Sequence, residues 1–140
     1  MPHKSNCIIA VDDDRRALDQ IAGILDTTYN VLTTSDLRRA VGWLHDDATV
    51  CAIISEQVLR HGRGIDLLGA SLKIRPDVRR ILITNYGDLA AIVGCFHTGE
   101  IQRTISKPIV AAELLGVVGP SQVSDPAGTA PQSARASATA

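Results

Sequence analysis

The chain has 140 residues, an apolar fraction of 45% and a formal net charge of −1. That size suits one domain able to fill its own core, and interspersed charges without a basic patch argue against direct nucleic-acid binding by this segment. Cys7, Cys51 and Cys95 sit in apolar runs without CxxC spacing, as small hydrophobes do in a reducing cytosol. Residues 1–6 are polar and no apolar stretch nears the roughly eighteen residues of a membrane span, so no signal peptide or membrane anchor is expected and the location is read as cytoplasmic.

Short apolar runs alternate along the chain with segments of helical period. The strands are predicted at Cys7–Val11, Tyr29–Thr33, Val50–Ser55, Arg80–Ile83 and Arg103–Ile105, each short and without alternation, as in a parallel sheet covered on both faces. Between them Leu18, Ile21 and Leu25, then Leu37, Val41 and Leu44, then Ile65, Leu68 and Leu72, then Leu89, Ile92 and Phe96 recur at helical spacing. A fifth helix is predicted over Val110–Val118. Ser35 or Asp36 can cap the second helix, Gly64 opens the third, Pro76 lies just past its end and Gly99 stops the fourth. The fold class is α/β, doubly wound, with five strands and five helices. Residues 6–119 form the folded domain. From Pro120 to Ala140 the chain is Ser, Ala, Pro, Gly, Thr and Gln with almost no large apolar residue, which reads as a flexible linker toward an output domain beyond residue 140.

In such a sheet the functional crevice lies at the carboxyl ends of the strands. The first strand runs into Asp12 and Asp13, the third into Glu56, the fourth into Thr84 and the fifth into Lys107-Pro108. Carboxylates from neighbouring strand ends suit a hard cation such as Mg²⁺. Phosphoryl transfer needs a nucleophile, a hydroxyl and a cation for the oxygens, and Thr84 and Lys107 supply the last two. Singly, each residue is as readily a cap, a turn or a surface charge; their joint order at successive strand ends is what singles them out.

Over nearly all of Asn6–Val118 the chain resembles the receiver domain of two-component response regulators. "IIAVDDD" is similar to the family's first strand and acidic pair, "AIISEQVLRHGRGIDLL" to its phosphoacceptor strand, loop and third helix, "RRILITNYGD" to the hydroxyl-bearing strand and "TISKP" to the lysine strand. The resemblance implies a flavodoxin-like sheet of order 2-1-3-4-5. It implies that Asp13, and Asp12 through water, hold Mg²⁺ with residue 56 and the Val58 carbonyl. Residue 56 would accept a phosphoryl group from a sensor histidine kinase, Lys107 would pair with that group, and Thr84 would hydrogen-bond it and swing inward. It further implies a non-enzymatic switch that controls transcription, a homodimer, and DNA contact only through the output domain. Within the family, "LITNYGD" and "GEIQRTISKP" are similar to receivers of NtrC-type transcription regulators, including those that govern hydrogenase synthesis.

The departures from the family pattern carry as much information. Residue 56 is Glu where the family has Asp. The longer side chain carries its carboxylate about one bond length deeper into the crevice, into space the phosphoryl oxygens would fill, and in-line attack tolerates little misplacement. Glu56 then imitates phosphate in part, with one negative charge against nearly two, and Mg²⁺ binding is weakened or lost. Thr104 stands where an aromatic relay is usual. Tyr86 is either its substitute or an exposed loop residue. Asn85 narrows access, and Leu59-Arg60 replaces the usual Met-Pro, leaving the loop without its rigid turn. Trp43 and Phe96 are expected to pack on the sheet or its rim. His61 either touches a bound phosphate or is a solvated loop residue.

Two other readings compete. A phosphatase of the haloacid dehalogenase type would use the D-x-D within Asp12-Asp13-Asp14, but Arg15 and Arg16 follow where small and hydroxyl residues belong, and the chain leaves no room for a cap domain. A pseudo-receiver that never takes phosphate is suggested by Glu56 alone. The retention of Asp12, Asp13, Thr84 and Lys107 favours an Asp→Glu change in a working receiver, whether natural or introduced.

Overall fold

The computed structural model describes residues 6–85 and 89–119, with the side chains of residues 89–91 excepted. Strand β1 spans Cys7–Val11, helix α1 Arg15–Leu25, β2 Asn30–Thr34, α2 Leu37–Asp46 and β3 Val50–Glu56. A short hairpin of β4 (Val58–Leu59) and β5 (Gly62–Arg63) precedes α3, Gly64–Ile74. Then come β6 (Arg79–Ile83), α4 (Leu89–His97), β7 (Arg103–Ile105) and α5 (Ala111–Val118). All five predicted strands and helices are present, with ends shifted by one residue at β2, β3, β6 and α5. The hairpin has no counterpart among the predicted elements. It ties down the loop that lacks the usual Pro, because Val58 and Leu59 pair antiparallel with Arg63 and Gly62 and Leu59 is buried.

The central sheet is parallel in the order β2-β1-β3-β6-β7, which is the 2-1-3-4-5 order expected for five sheet strands. Successive side chains of a strand face opposite sides, so the apolar runs divide into two cores. Cys7, Ile9, Val11 and Ile53 face α2, α3 and α4, joined by Leu44, Leu68 and Leu82. Ile8, Ala10, Ala52 and Ile54 face α1 and α5, joined by Ile21, Leu25 and Leu114. Trp43 packs at the margin of the first core as expected. Phe96 is 42% exposed, a correction to its expected packing: with Val93 it lies on the solvent side of α4 while Ile92 turns inward.

The helix starts follow local chemistry. Asp14 caps α1 by accepting from the Arg16 N–H, and Asp36, rather than Ser35, caps α2 by accepting from Arg38. Gly99 adopts φ +83°, the left-handed region open to glycine at the end of α4. At the amino-terminal pole of the sheet, Arg75 donates to the carbonyls of Leu44, Asp47 and Val50, and buried Arg80 donates to those of Pro76, Val78 and Gly99. Both arginines bind loops together and lie far from the strand ends that carry the acids. Among the described residues no helix is long and apolar enough to cross a membrane.

Candidate functional site

The strand order places the ends of β1, β3, β6 and β7 side by side, so residues far apart in sequence meet at one rim. Asp12 follows β1 directly and is nearly inaccessible. Its Oδ1 accepts from the Asp14 N–H at 2.8 Å, which folds the acidic turn back on itself, and its Oδ2 lies 3.0 Å from Lys107 Nζ. Glu56 ends β3 and reaches the same ammonium, with Oε1 2.8 Å from Nζ. Its Oε2 accepts from the Gln57 N–H at 2.9 Å and, more weakly, from the Val58 N–H at 3.4 Å. The lysine thus bridges two carboxylates that would otherwise repel each other.

Burial is the strongest single influence on Lys107 and pulls its proton affinity down. The hydrogen bonds and charges of Glu56 and Asp12 outweigh it together, and the net direction is upward from the ordinary lysine value. Lys107 is therefore a fixed cation at the centre of the crevice. The Lys107-Pro108 peptide bond is cis.

The remaining expected residues divide. Thr84 is buried at the end of β6, where its N–H donates to the Ile105 carbonyl. It lines a cavity of about 330 Å³ with Gln57, Val58 and Asn85, beside the β3–α3 connection. Asp13 points outward and its Oδ2 accepts from the Arg60 N–H, so it fastens the hairpin loop. Val58, expected to offer a carbonyl, meets Glu56 through its N–H. His61 is exposed and lines a separate groove with Ser35–Arg38. Thr104 is half-buried on β7 in register with Leu82, and Tyr86 lies outside the described residues.

The expected metal ligands were Asp12, Asp13, Glu56 and the Val58 carbonyl. Among the described residues no three acidic, His or Cys side chains converge on a point that would hold an ion. Of the six carboxylate oxygens of Asp12, Asp13 and Glu56, three accept from a backbone N–H and two lie at ion-pair distance from the Lys107 ammonium, of which the buried Asp12 Oδ2 has no hydrogen-bond partner. As arranged, Asp13 and Glu56 turn oxygens to the Arg60 N–H and to Lys107, and Asp12 Oδ2 is the buried carboxylate oxygen left without a hydrogen bond. The Glu56 carboxylate reaches Lys107 and receives its compensating charge there.

Two residues matter that sequence reasoning underused. Gln57 is buried, and its Oε1 accepts from the Ile65 N–H at 3.0 Å. That satisfies a first-turn donor of α3, which has no side-chain cap of its own. The Gln57 N–H also donates to the Ile83 carbonyl and its own carbonyl accepts from Gly64, so one residue joins β3, β6 and α3 beside Glu56. Nothing in its sequence position beyond adjacency to Glu56 marks this role. Gly64, read as a turn residue, is required by close approach. A Cβ there would lie 2.4 Å from the Glu56 carbonyl oxygen and 2.8 Å from Leu82 Cδ1.

Comparison with known proteins agrees with this geometry. The family described as "Response regulator receiver domain" matches residues 8–118. The hydrogenase transcriptional regulatory protein HoxA of Cupriavidus necator is 29% identical over 118 residues, covering 84% of this chain and 24% of that protein. The chain therefore spans about a quarter of the length of this curated relative. The signal receiver domain of an HD domain-containing protein from Pseudomonas fluorescens Pf-5 is 30% identical with a TM-score of 0.72, covering 80% of this chain and 90% of that one. A CheY-like response regulator receiver domain from Methanospirillum hungatei JF-1 is 26% identical, also with a TM-score of 0.72, over 79% of this chain and 88% of that one.

Proposed function

Because this chain belongs to the family of response regulator receiver domains, we propose that it is the receiver of a transcription regulator in which Glu56 holds the phosphoacceptor position and partly imitates the phosphorylated state. Residues 6–119 act as the receiver and 120–140 as the connection to an output domain, through which alone DNA is contacted. The partners are a sensor histidine kinase, that output domain and a second copy of the chain. The protein is a signalling module, not a turnover enzyme.

The observation that carries the reading is the pair of contacts at Lys107. A phosphoryl group on a shorter Asp would present its oxygens to Lys107; here Glu56 Oε1 occupies that place at 2.8 Å without any covalent step. The imitation is incomplete in charge, since Glu56 and Asp12 share one ammonium and a carboxylate carries less charge than a phosphoryl group. A charge at residue 56 biases the domain only by its unequal interaction with two conformations, and Thr84, on the strand leading toward α4, is the group placed to respond. Receiver domains bind Mg²⁺ at the phosphorylation site. With Glu56 Oε1 held on Lys107, cation affinity is lowered.

The test is Glu56→Asp. The shortened carboxylate should take up one phosphoryl group from acetyl phosphate with Mg²⁺, seen as a base-labile mass increase, while the unaltered chain stays unlabelled. If the Glu56→Asp variant remains unlabelled as well, the switch reading is wrong and the domain is a pseudo-receiver that acts by interaction alone. A phosphatase reading is supported only by turnover of p-nitrophenyl phosphate above trace rate.

A further inference from the structure

Among the described residues the sheet has two open edges, β2 and β7, and they are guarded differently. An edge strand offers unpaired N–H and C=O groups to any other strand, and proteins blunt such edges by short length, charge, proline or a bulge. β7 has three residues, one of them the exposed Arg103, and Lys107-Pro108 follows closely. β2 has five, Asn-Val-Leu-Thr-Thr, with neither a charge nor a proline, and its register with β1 is unbroken. Asn30 donates to the Asn6 carbonyl and Thr34 accepts from the Asp12 N–H, so the even-numbered residues bond to β1. Backbone groups alternate in direction along a strand. Those of Val31 and Thr33 therefore face outward.

The surface above this edge is complementary to itself. Helix α2 borders α3 through the groove that Leu37 and Val41 line. Arg39, Trp43 and Asp46 recur at i, i+4 and i+7 on the side of α2 away from that groove, toward the open edge. Arg39 and Asp46 are exposed, and neither forms an ion pair among the described residues. Leu32 and Trp43 are half-buried at the margin of the first core, and a partly exposed indole is a common anchor of interfaces. We propose that two copies of the chain pair their β2 strands antiparallel about a two-fold axis, making one continuous sheet. With the axis at Leu32, Val31 of one copy and Thr33 of the other exchange both their hydrogen bonds, and the symmetry repeats the pair. Leu32 then meets its own counterpart. On the same face the two α2 helices lie side by side, Trp43 near Trp43, with each Arg39 toward the Asp46 of the other copy. Parallel pairing would instead set Arg39 against Arg39. This supplies the surface for the second copy named among the partners, and it does not depend on whether Glu56 imitates phosphate.

The test is sedimentation and hydrogen exchange on the full 140-residue chain from micromolar to millimolar concentration. A dimer is expected to form over that range, with the fluorescence of Trp43, the chain's single tryptophan, shifting in step. The Val31 and Thr33 amides should become protected only as the dimer forms, whereas that of Leu32, directed at β1, is protected throughout. Thr33→Pro removes an N–H that faces outward in a single copy, where a sheet tolerates proline; it should keep the circular dichroism of the fold and abolish the dimer. Arg39→Glu should weaken association about tenfold or more, since the symmetry counts each lost pair twice, and the double variant R39E/D46R should restore it. A chain still monomeric at millimolar concentration overturns the proposal. A dimer that survives both Thr33→Pro and Arg39→Glu belongs to another face, and protection of Val31 and Thr33 in the monomer assigns the edge to another part of the same chain; either result overturns the self-pairing.

Discussion

Replacing Lys107 by Met removes the cation that two carboxylates share and keeps most of the side-chain volume. Asp12 Oδ2 and Glu56 Oε1 lie 3.0 and 2.8 Å from Nζ, with the acids 3% and 15% exposed. At an effective dielectric constant of about 20 each contact is worth roughly 5–6 kcal/mol of gross attraction. Most of that is offset by the desolvation of the three charges. Deleting one member of a fully buried set typically costs about 3–5 kcal/mol, but Lys107 is 37% exposed and water can partly replace it. A loss of about 2–3 kcal/mol is expected, or a fall in Tm of about 10–15 °C for a domain of this size. Thermal unfolding followed by circular dichroism, with Trp43 fluorescence as a second probe, measures it. A cycle with Glu56→Gln isolates the pair, and a coupling energy of at least about 1 kcal/mol is expected between the two positions. The same loss from Lys107→Met in both backgrounds would refute the idea that Lys107 answers Glu56, whatever the size of the loss.

Three other perturbations probe the supports of the site. Gly64→Ala forces a methyl against the Glu56 carbonyl, where backbone cannot yield as a side chain would; a loss of about 1–3 kcal/mol is expected in denaturant unfolding, together with amide shifts at residues 56–58. Gln57→Leu keeps the bulk but leaves the Ile65 N–H without its acceptor, for about 1–3 kcal/mol, and hydrogen exchange should quicken in the first turn of α3 while the last turn is unchanged. The proton affinity of Lys107 is raised in the folded chain, so its ion pairs contribute fully below the unfolded value of 10.5 and are lost as pH rises above it. The stability difference between the unaltered chain and Lys107→Met should be flat at neutral pH and shrink beyond about pH 10.5; a difference that grew there would contradict the pairing.

Much of this protein was legible in order along the chain. Apolar runs such as Cys7–Val11 and the helical recurrence of Leu18, Ile21 and Leu25 follow from local periodicity, which a sequence displays directly. The acids, the hydroxyl and the lysine were legible too, because strand ends are where a parallel sheet gathers its chemistry. Three things were decided only by the packed structure. Which of the two oxygens of Glu56 meets Lys107, and that Asp13 turns instead to the Arg60 N–H, depends on distances between segments far apart in the chain. The hairpin at Val58–Arg63 forms because Leu59 finds a buried place against the helices, a long-range gain that its neighbours in sequence do not announce. Gln57 becomes a cap for α3 only once Gly64 lets that helix close on β3. Local propensity and pattern travel with the chain, whereas charge pairing and close approach exist only between surfaces that folding brings together.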